Sequence, residues 1–340
     1  MNDQVAIIYD RIDEQKCNPD HKDVLDQAVA VAGALRDLGY RPYDLTLSMD
    51  LGAFFRTLGT RPPAFVFNLV ESVEGQGRLI HLPPGLLDVL RIPYTGSGVD
   101  ALYATSNKLI AKGMLRGANI PTPGFFSRND LEVSGGPVRG TFIIKSVWEH
   151  ASIGIEEDSV VTVKDETELL EEMGYRRKAL GGHCFAETYI EGREFNLSLL
   201  AAPEGPEVLP PAEIRFDNYP PGKRRMVGYR AKWDENSFEY RHTPRRFGFP
   251  HEDAALLENL EELARECWHL FDLRGYARVD FRVDEKNHPW VLEINTNPCL
   301  SPDAGFAAAA AERGLSFSQV LRRILRDMQG KTTALAEGFV

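Results

Sequence analysis

The chain has 340 residues, of which 43% are apolar, so it can bury a substantial hydrophobic core; its length predicts two or three domains. A formal charge of −11 and a pI near 5.3 argue against a general affinity for nucleic acid or for an anionic membrane. No uninterrupted apolar segment approaches the roughly 20 residues that span a bilayer, and the N-terminus lacks the basic-then-apolar order of a signal peptide. We therefore expect a cytoplasmic protein. The four cysteines form no CxxC pair, which indicates neither a zinc site nor a disulfide framework.

The first part of the chain alternates strand and helix patterns. Residues 5–10 and 65–68 are predicted to be buried strands, and apolar residues recur at helical spacing over 25–35. Residues 81–97 predict a helix that ends before a further short strand. This alternation is typical of parallel α/β layers. It predicts an N-terminal α/β domain over residues 1–104.

A second unit begins with a helix in residues 106–123, which Gly117 and two prolines end. A strand over 141–147, a helix over 165–173 and a strand over 184–190 follow it. Together these patterns predict a small α+β domain over residues 105–190.

The remaining chain is predicted to form a C-terminal α+β domain over 191–330 and a tail over 331–340. It opens with a strand-rich stretch and a long irregular excursion over 203–250, and such excursions are often functional. A strong helix pattern over 252–273 precedes a hairpin of "YARVDFRV" and "PWVLEIN". The alanine run at 307–311 is most simply a helix, and a last helix is predicted over about 315–328.

The hairpin carries a group of polar side chains. Because strand side chains alternate between faces, Arg278, Asp280 and Arg282 are predicted to share one face of the first strand. Glu293 and Asn295 share a face of the second strand, and a tight turn would bring them opposite Asp280. Two carboxylates and a carbonyl oxygen are donors that Mg²⁺ prefers when phosphates and water complete its octahedron. A solvated polar face, balanced by the arginines, is the alternative interpretation.

Three lysines are candidates for binding phosphate. Lys145 lies inside an apolar strand and needs an anion there, either a nucleotide phosphate or a nearby carboxylate. Lys108 and Lys232 are weaker signals, since most lysines are solvated surface residues. The loop over 146–155 could cover a triphosphate with its backbone N–H groups, although Gly154 is its only glycine.

Five segments, in order, resemble the ATP-grasp superfamily and, within it, the D-alanine–D-alanine ligase group. They are residues 92–125, 143–155, 187–200, 229–233 and 275–302. No GxxxxGK[ST] phosphate loop is present as an alternative ATP site. The resemblance implies a three-domain ATP-grasp fold of the α/β class, in which an N-terminal parallel α/β domain precedes two α+β domains that clamp ATP.

The resemblance also implies roles for individual residues. Lys108 and Lys145 would bind ATP phosphates, and Glu187 begins a segment that hydrogen-bonds adenine. The full set of implied ATP ligands is Lys108, Lys145, Glu187, Tyr189, Ile190, Glu194, which would hold the ribose, and Lys232, which would reach the γ-phosphate. Asp280, Glu293 and Asn295 would bind two Mg²⁺ ions, with Mn²⁺ as the alternative ion. Arg278 and Lys232 would be the catalytic cations, near the transferring phosphate.

The implied reaction has two steps. ATP phosphorylates a small-molecule carboxylate to an acyl-phosphate, and an amine then attacks its carbonyl, releasing ADP and phosphate. Because acyl-phosphates hydrolyse readily, we expect a lid over the site, with 146–155 and 215–247 as candidates. Related ligases are commonly homodimers, and we expect the same here.

The substrate half of the family pattern is changed. The first strand runs into "YDRIDEQK" instead of a Gly-Gly loop, and Glu71 lies near the position of the ligases' His-Gly pair. The serine-rich loop becomes "EHASIG", which keeps Ser152; Cys299 stands for a glycine, and Ala304 and Gly305 stand for a Ser-Leu pair that holds a substrate carboxylate. These residues are the substrate candidates, and the changes favour a carboxylate other than D-alanine. Glu71 as a surface or capping carboxylate and Cys299 as a small packed residue are the alternatives.

Three other functions remain open at this point. One is a genuine D-alanine–D-alanine ligase of cell-wall synthesis. Another is a regulatory protein that binds ATP without ligating anything, and the third is a small-molecule kinase. The regulatory alternative is disfavoured because a sensor does not need Lys232, Arg278 and three metal ligands together.

Overall fold

The computed structural model describes residues 2–11, 19–134, 138–148 and 154–337, with the backbone alone for 19–22, 132–134 and 331–337. The first group of elements in chain order comprises β1 (Gln4–Asp10), α1 (Pro19–Asp37), β2 (Arg41–Leu47), α2 (Leu51–Thr60), β3 (Phe65–Asn68), α3 (Leu82–Leu90), α4 (Val99–Ser106) and α5 (Lys108–Gly117). In the described part of the chain, no helix is long and apolar enough to span a membrane.

The first sheet is parallel, as the sequence predicts. Its order is β2-β1-β3, and residues 5–8 of β1 are fully buried because helices cover both faces of a central parallel strand. Tyr94 extends this edge by a single parallel bridge to Val66, where the sequence predicts a short strand. The end of β3, with Glu71 just beyond it, therefore faces the rest of the molecule.

The central group forms a second, antiparallel sheet of order β4-β7-β5-β6. Its elements are β4 (Phe125–Phe126), α6 (Arg128–Ser134), β5 (Gly140–Ser146), β6 (Val160–Val163), α7 (Glu166–Arg176) and β7 (Cys184–Thr188). On β5, Phe142 and Ile144 pack against Leu169 and Met173 of α7. Strand alternation therefore turns Lys145 to the opposite face of this sheet.

The third group forms a large antiparallel sheet of order β11-β10-β8-β12-β13, with β9 paired to β8. Its elements are β8 (Arg193–Leu200), β9 (Glu207–Val208), β10 (Ala212–Ile214), α8 (Tyr229–Trp233), α9 (Phe238–Arg241), β11 (Arg245–Arg246), α10 (Ala254–Leu270), β12 (Tyr276–Val283), β13 (Pro289–Asn295), α11 (Gly305–Glu312) and α12 (Phe317–Glu337). The last helix extends nine residues beyond its predicted end and runs through most of the predicted tail. The alanine run at 307–311 is helical, as expected.

Two cores hold these groups together. Under the large sheet, Phe195, Val279 and Leu260 of α10 pack with Leu115 of α5. On the other side, Phe306 of α11 and residues of α12 share a core with α1 and β1. Helix α5 thus belongs by packing to the large sheet, while the division into domains at residues 104, 190 and 330 stays a prediction.

Candidate active site

A cleft lies between the central sheet and the large sheet, with an empty volume of about 740 Å³ including the part open to solvent. Nine residues that the sequence singles out line it together: Lys108, Lys145, Glu187, Tyr189, Ile190, Glu194, Lys232, Asp280 and Glu293. They come from five separate segments of the chain. The fold therefore brings the predicted nucleotide residues and two of the three predicted metal residues to one location, while Asn295 lines a second cavity and Arg278 lines neither.

The two predicted metal-binding carboxylates are direct partners across the hairpin. Asp280 on β12 is paired with Glu293 on β13, and Arg278 is paired with Asn295, as the alternation predicts. A bulge makes Leu292 an extra residue, so Leu292 and Glu293 both face the cleft. On the opposite face of β12, Val279 is fully buried.

Both carboxylates lie beside cations. Arg278 donates from Nε and Nη2 to the two oxygens of Asp280 at 2.7 and 2.9 Å, and Asn196 donates to Asp280 Oδ1 at 2.8 Å. Lys108 Nζ lies 3.6 Å from Glu293 Oε2. The bidentate pair with Arg278 orients the Asp280 carboxylate.

The donor set is small and made of oxygens. Among the residues described, no three His, Cys, Asp or Glu side chains form a cluster that could hold a metal ion. The candidates are therefore two carboxylates, Asp280 and Glu293, with the amide oxygen of Asn295, which accepts the Asn297 N–H at 3.0 Å. This set fits a hard cation that keeps other ligands from substrate phosphates and water.

Lys145 is paired with a carboxylate in this structure. Its Nζ lies 2.9 Å from Glu187 Oε1, and Lys112 Nζ lies 2.7 Å from Glu187 Oε2. Burial disfavours a charge at Glu187, but Lys112 and Lys145 outweigh it and hold the Glu187 pKa below its usual value. No local pattern indicates a role for Lys112, because a lysine at helical spacing resembles a solvated one.

Arg282 lines the cleft itself, and sequence reasoning left it, like Lys112, without a function. It is 4% exposed, and its guanidinium lies 3.1 Å from Glu194 Oε2. It also donates to the carbonyls of Gly192 and Arg225. Burial raises the Glu194 pKa, and Arg282 opposes that rise. Glu194 is thus held at the cleft by a buried partner.

Part of the predicted excursion lines the cleft. Helix α8 carries Lys232 to the cleft wall, and the Tyr229 N–H donates to the Ile155 carbonyl at 2.9 Å. Gly228 is required at this contact, because a Cβ there would lie 2.7 Å from the same carbonyl oxygen. Lys223 pairs with both Glu157 and Glu239, at 2.9 and 2.8 Å. The excursion therefore contacts residues 155–157 of the central group.

Ser152 lies outside the described residues, together with the rest of 149–153 in the other candidate lid segment.

A second, smaller cavity lies beside Asn295, with an empty volume of about 290 Å³ including open solvent. Glu71 lines it, along with Thr105, Ser106 and Asn297. Gln27 donates to Glu71 at 3.4 Å and accepts from the Leu300 N–H at 2.9 Å. Glu71 is therefore beside the loop that follows the hairpin.

The other substrate candidates lie on that loop and line neither cavity. Cys299 is hydrogen-bonded to Ser301 at 3.1 Å, and burial, followed by the charge of Glu71, raises its thiol pKa. Ala304 caps α11 without a side-chain hydrogen bond, and Gly305 begins that helix. Arg245, which the sequence did not single out, donates to the Asp303 carbonyl at 2.9 Å and lies beside Gly305.

Comparison with known proteins assigns the chain to a family. A family model described as "D-ala D-ala ligase C-terminus" matches residues 137–326, more than half of the chain. A D-alanine–D-alanine ligase of Carboxydothermus hydrogenoformans is 30% identical over 306 residues, which cover 87% of this chain and 90% of that protein. An uncharacterized protein of Sinorhizobium fredii is 29% identical, over 88% of this chain and 86% of its own length.

Solved structures agree on the fold. A D-alanine–D-alanine ligase from Bacillus anthracis has a TM-score of 0.71 at 21% identity, covering 97% of this chain and 99% of its own. A complex described as that enzyme with ATP has a TM-score of 0.69. The fold and cleft define an ATP-grasp enzyme, an ADP-forming ligase. Within that class, the chain belongs to the D-alanine–D-alanine ligase family.

Proposed function

We propose that this ligase binds Mg-ATP between its central and large sheets. It uses the ATP to join a carboxylate to an amine, and the two substrates are not both D-alanine. The observation that carries the nucleotide half is the convergence of nine predicted residues on one cleft. The carboxylate–amine ligase activity itself follows from the family.

The cleft offers a distinct environment for each part of a nucleotide. Residues 187–190 and Met226 line the cleft and would contact the flat base, and Glu194, which also lines it, would hold the ribose hydroxyls. The cations Lys108, Lys145 and Lys232 line the same cleft and suit a triphosphate. These cations are held before the reaction, so they can stabilise charge that develops on the transferred phosphoryl group without reorganising.

We assign two magnesium ions to the acidic residues of the cleft. Asp280, Glu293 and Asn295 would hold them, and the ions would neutralise the phosphates during transfer. Arg278 is fixed by its two hydrogen bonds to Asp280, so it would present a steady positive charge at the reacting carboxylate. The excursion that carries Lys232 would exclude water from an acyl-phosphate.

The substrate end supports a changed specificity. Glu71 lines the cavity next to Asn295 and would receive a positively charged group of the first substrate. At the other end, Arg245 lies beside Gly305, where it would hold an anionic side chain of the second substrate. Although Arg245 is exposed, partial desolvation and then the positive charge of Arg278 lower its pKa, which indicates two cations near one another. This supports an amine substrate that carries an anionic group beyond one carboxylate.

A coupled assay of ADP release tests this function. Wild-type protein is given Mg-ATP with paired acids and amines, including D-alanine alone, glutamate against glutamine and aspartate against asparagine, with mass analysis of each product. We expect ADP release that requires both an acid and an amine, with the acidic amine preferred. Efficient D-alanyl-D-alanine synthesis would instead support the alternative that the names of the relatives favour. A stable phosphoester product would indicate a kinase.

Arg245→Gln separates the acceptor assignment from the rest. We expect it to lower kcat/KM for the acidic amine by roughly tenfold to 100-fold, since a charge-assisted bidentate contact is lost. The neutral amine of the same pair should be unaffected. Arg241→Gln is the matched control, because Arg241 is exposed and lies near Glu235 and Asn236 instead. Equal losses for both amines would contradict the assignment.

A further inference from the structure

A lysine that does not line the cleft lies directly behind it. Lys112 on α5 is 1% exposed, and its Nζ lies 2.7 Å from Glu187 Oε2 and 2.9 Å from Thr122 Oγ1. A lysine this deeply buried is costly to desolvate and is found only where a partner compensates for the lost hydration. Its position therefore calls for an explanation beyond surface charge.

Glu187 carries a lysine on each oxygen. Lys145, on Oε1, lines the cleft and is 12% exposed, whereas Lys112, on Oε2, is enclosed. The two pairs are therefore not equivalent. Only Lys145 can turn toward a phosphate, and if it does so Glu187 loses that partner.

Loss of its only partner would leave a buried carboxylate uncompensated, which is strongly unfavourable. With Lys112 in place, Glu187 stays ionised and paired while Lys145 moves. Without Lys112, Glu187 would hold Lys145 as its only counter-charge and would compete with the nucleotide for it. The second lysine thus lowers the free-energy cost of transferring Lys145 from carboxylate to phosphate.

Lys112 also connects the two sheets that form the cleft. Thr122, which it contacts, donates to the Val291 carbonyl of β13 at 2.8 Å, and the Val291 N–H donates to the Pro121 carbonyl at 2.8 Å. Glu187 belongs to β7 of the central sheet. The contacts run from one sheet to the other through the Lys112 ammonium, so its charge and position fix Glu187 relative to the acidic end of the cleft.

We propose that Lys112 is a positioning residue for nucleotide binding, which keeps Glu187 paired so that Lys145 is released to a phosphate of ATP. The proposal rests on the proposed function, because it requires that Lys145 bind the nucleotide. The charged groups that face Glu187 are Lys112 from α5 and Lys145 from β5. Glu293 of β13 lies near Lys112. All of these belong to elements that line or support the cleft.

The test measures Mg-ATP affinity of the full-length protein by calorimetry, with steady-state KM and kcat for ADP release. We expect Lys112→Met to weaken ATP binding by about tenfold or more, the scale of one lost charged hydrogen bond, while KM for the acid is unchanged. The double variant Lys112→Met/Glu187→Gln removes both charges and frees Lys145. We expect it to bind ATP as tightly as Glu187→Gln alone, because a neutral residue 187 no longer competes for Lys145. Lys164→Met is the control, since Lys164 forms an exposed pair with Glu168.

Each outcome either supports or overturns the positioning role of Lys112. Unchanged ATP affinity in folded Lys112→Met would overturn the proposal, and so would a double variant that binds ATP more weakly than Glu187→Gln alone. If Lys112→Met alone does not fold, the double variant decides, because replacing both buried charges by neutral groups is tolerated far better than removing one. Lys145→Ala tests the proposed function separately. If that variant binds ATP as tightly as wild type, the nucleotide role of Lys145 fails whatever Lys112 does.

Discussion

Asp280 and Glu293 lie directly opposite one another on two adjacent antiparallel strands, with a bulge at Leu292, the residue before Glu293. The bulge places an apolar side chain and a carboxylate side by side on the cleft face. One strand thus contributes both a hydrophobic wall and the carboxylate that we propose binds metal.

Substitution Glu293→Gln should remove turnover while the fold survives. The amide keeps the shape of the side chain but loses the charge that would bind Mg²⁺, so we expect ADP release to fall by on the order of 100-fold or more. The measurement is the coupled assay across a magnesium titration, with circular dichroism to confirm folding. Glu285→Gln, in the exposed turn of the same hairpin, is the matched control and should retain activity. An active Glu293→Gln enzyme would count against the metal assignment.

The substitution Gly228→Ala should disturb the cover over the cleft. The added methyl group would lie 2.7 Å from the Ile155 carbonyl oxygen, so the Tyr229–Ile155 hydrogen bond would have to lengthen. We expect ligation to slow by roughly tenfold to 100-fold, and a larger share of ADP to form without product, because water reaches the acyl-phosphate. Product and ADP are quantified in the same reaction. Gly174→Ala in α7, which has open space around it, is the control; a tightly coupled Gly228→Ala enzyme would contradict the role of this contact.

Asp253→Asn should change how stability depends on pH. Arg193 binds both Asp253 oxygens, at 2.8 and 2.9 Å, and holds the Asp253 pKa below its usual value of 3.8. A depressed native pKa contributes stability above the unfolded-state value, and this is lost as the pH falls through the native value. We therefore expect the variant to have a free energy of unfolding lower by about 1–2 kcal/mol at pH 7. The difference should shrink below pH 3.8 in urea titrations. A difference independent of pH would show that the pair does not act through this charge.

The sequence predicts the elements that have strong, local patterns. The two hairpin strands match their predicted bounds, and strand β3 is found where "FVFN" predicts it. In each case a run of apolar or alternating residues ends at a turn. Strand β2 and helix α2 were not anticipated, because β2 is an edge strand whose outward residues are polar and which carries Pro42. Its pairing with β1 is decided by tertiary contacts.

The site residues also fall into two groups, those that a local sequence pattern reveals and those that it does not. Asp280, Glu293 and Lys145 are visible in the sequence because a polar residue interrupts an apolar strand pattern. Lys112 and Arg282 gain their importance from partners 75 and 88 residues away in sequence, Glu187 and Glu194, which no local pattern connects. Nothing in the local sequence distinguishes Arg245 from its neighbour Arg246, which pairs with Glu213 instead.

Transfer of the phosphoryl group to the substrate carboxylate is the central step of this account, and an isotope measurement tests it most directly. The acid is labelled with ¹⁸O in its carboxylate, and the phosphate released during ligation is analysed by mass spectrometry. Amine attack on an acyl-phosphate expels phosphate bearing one former carboxylate oxygen, so we predict one ¹⁸O atom per phosphate formed with product. Unlabelled phosphate accompanying the ligated product would contradict the acyl-phosphate and with it the proposed reaction.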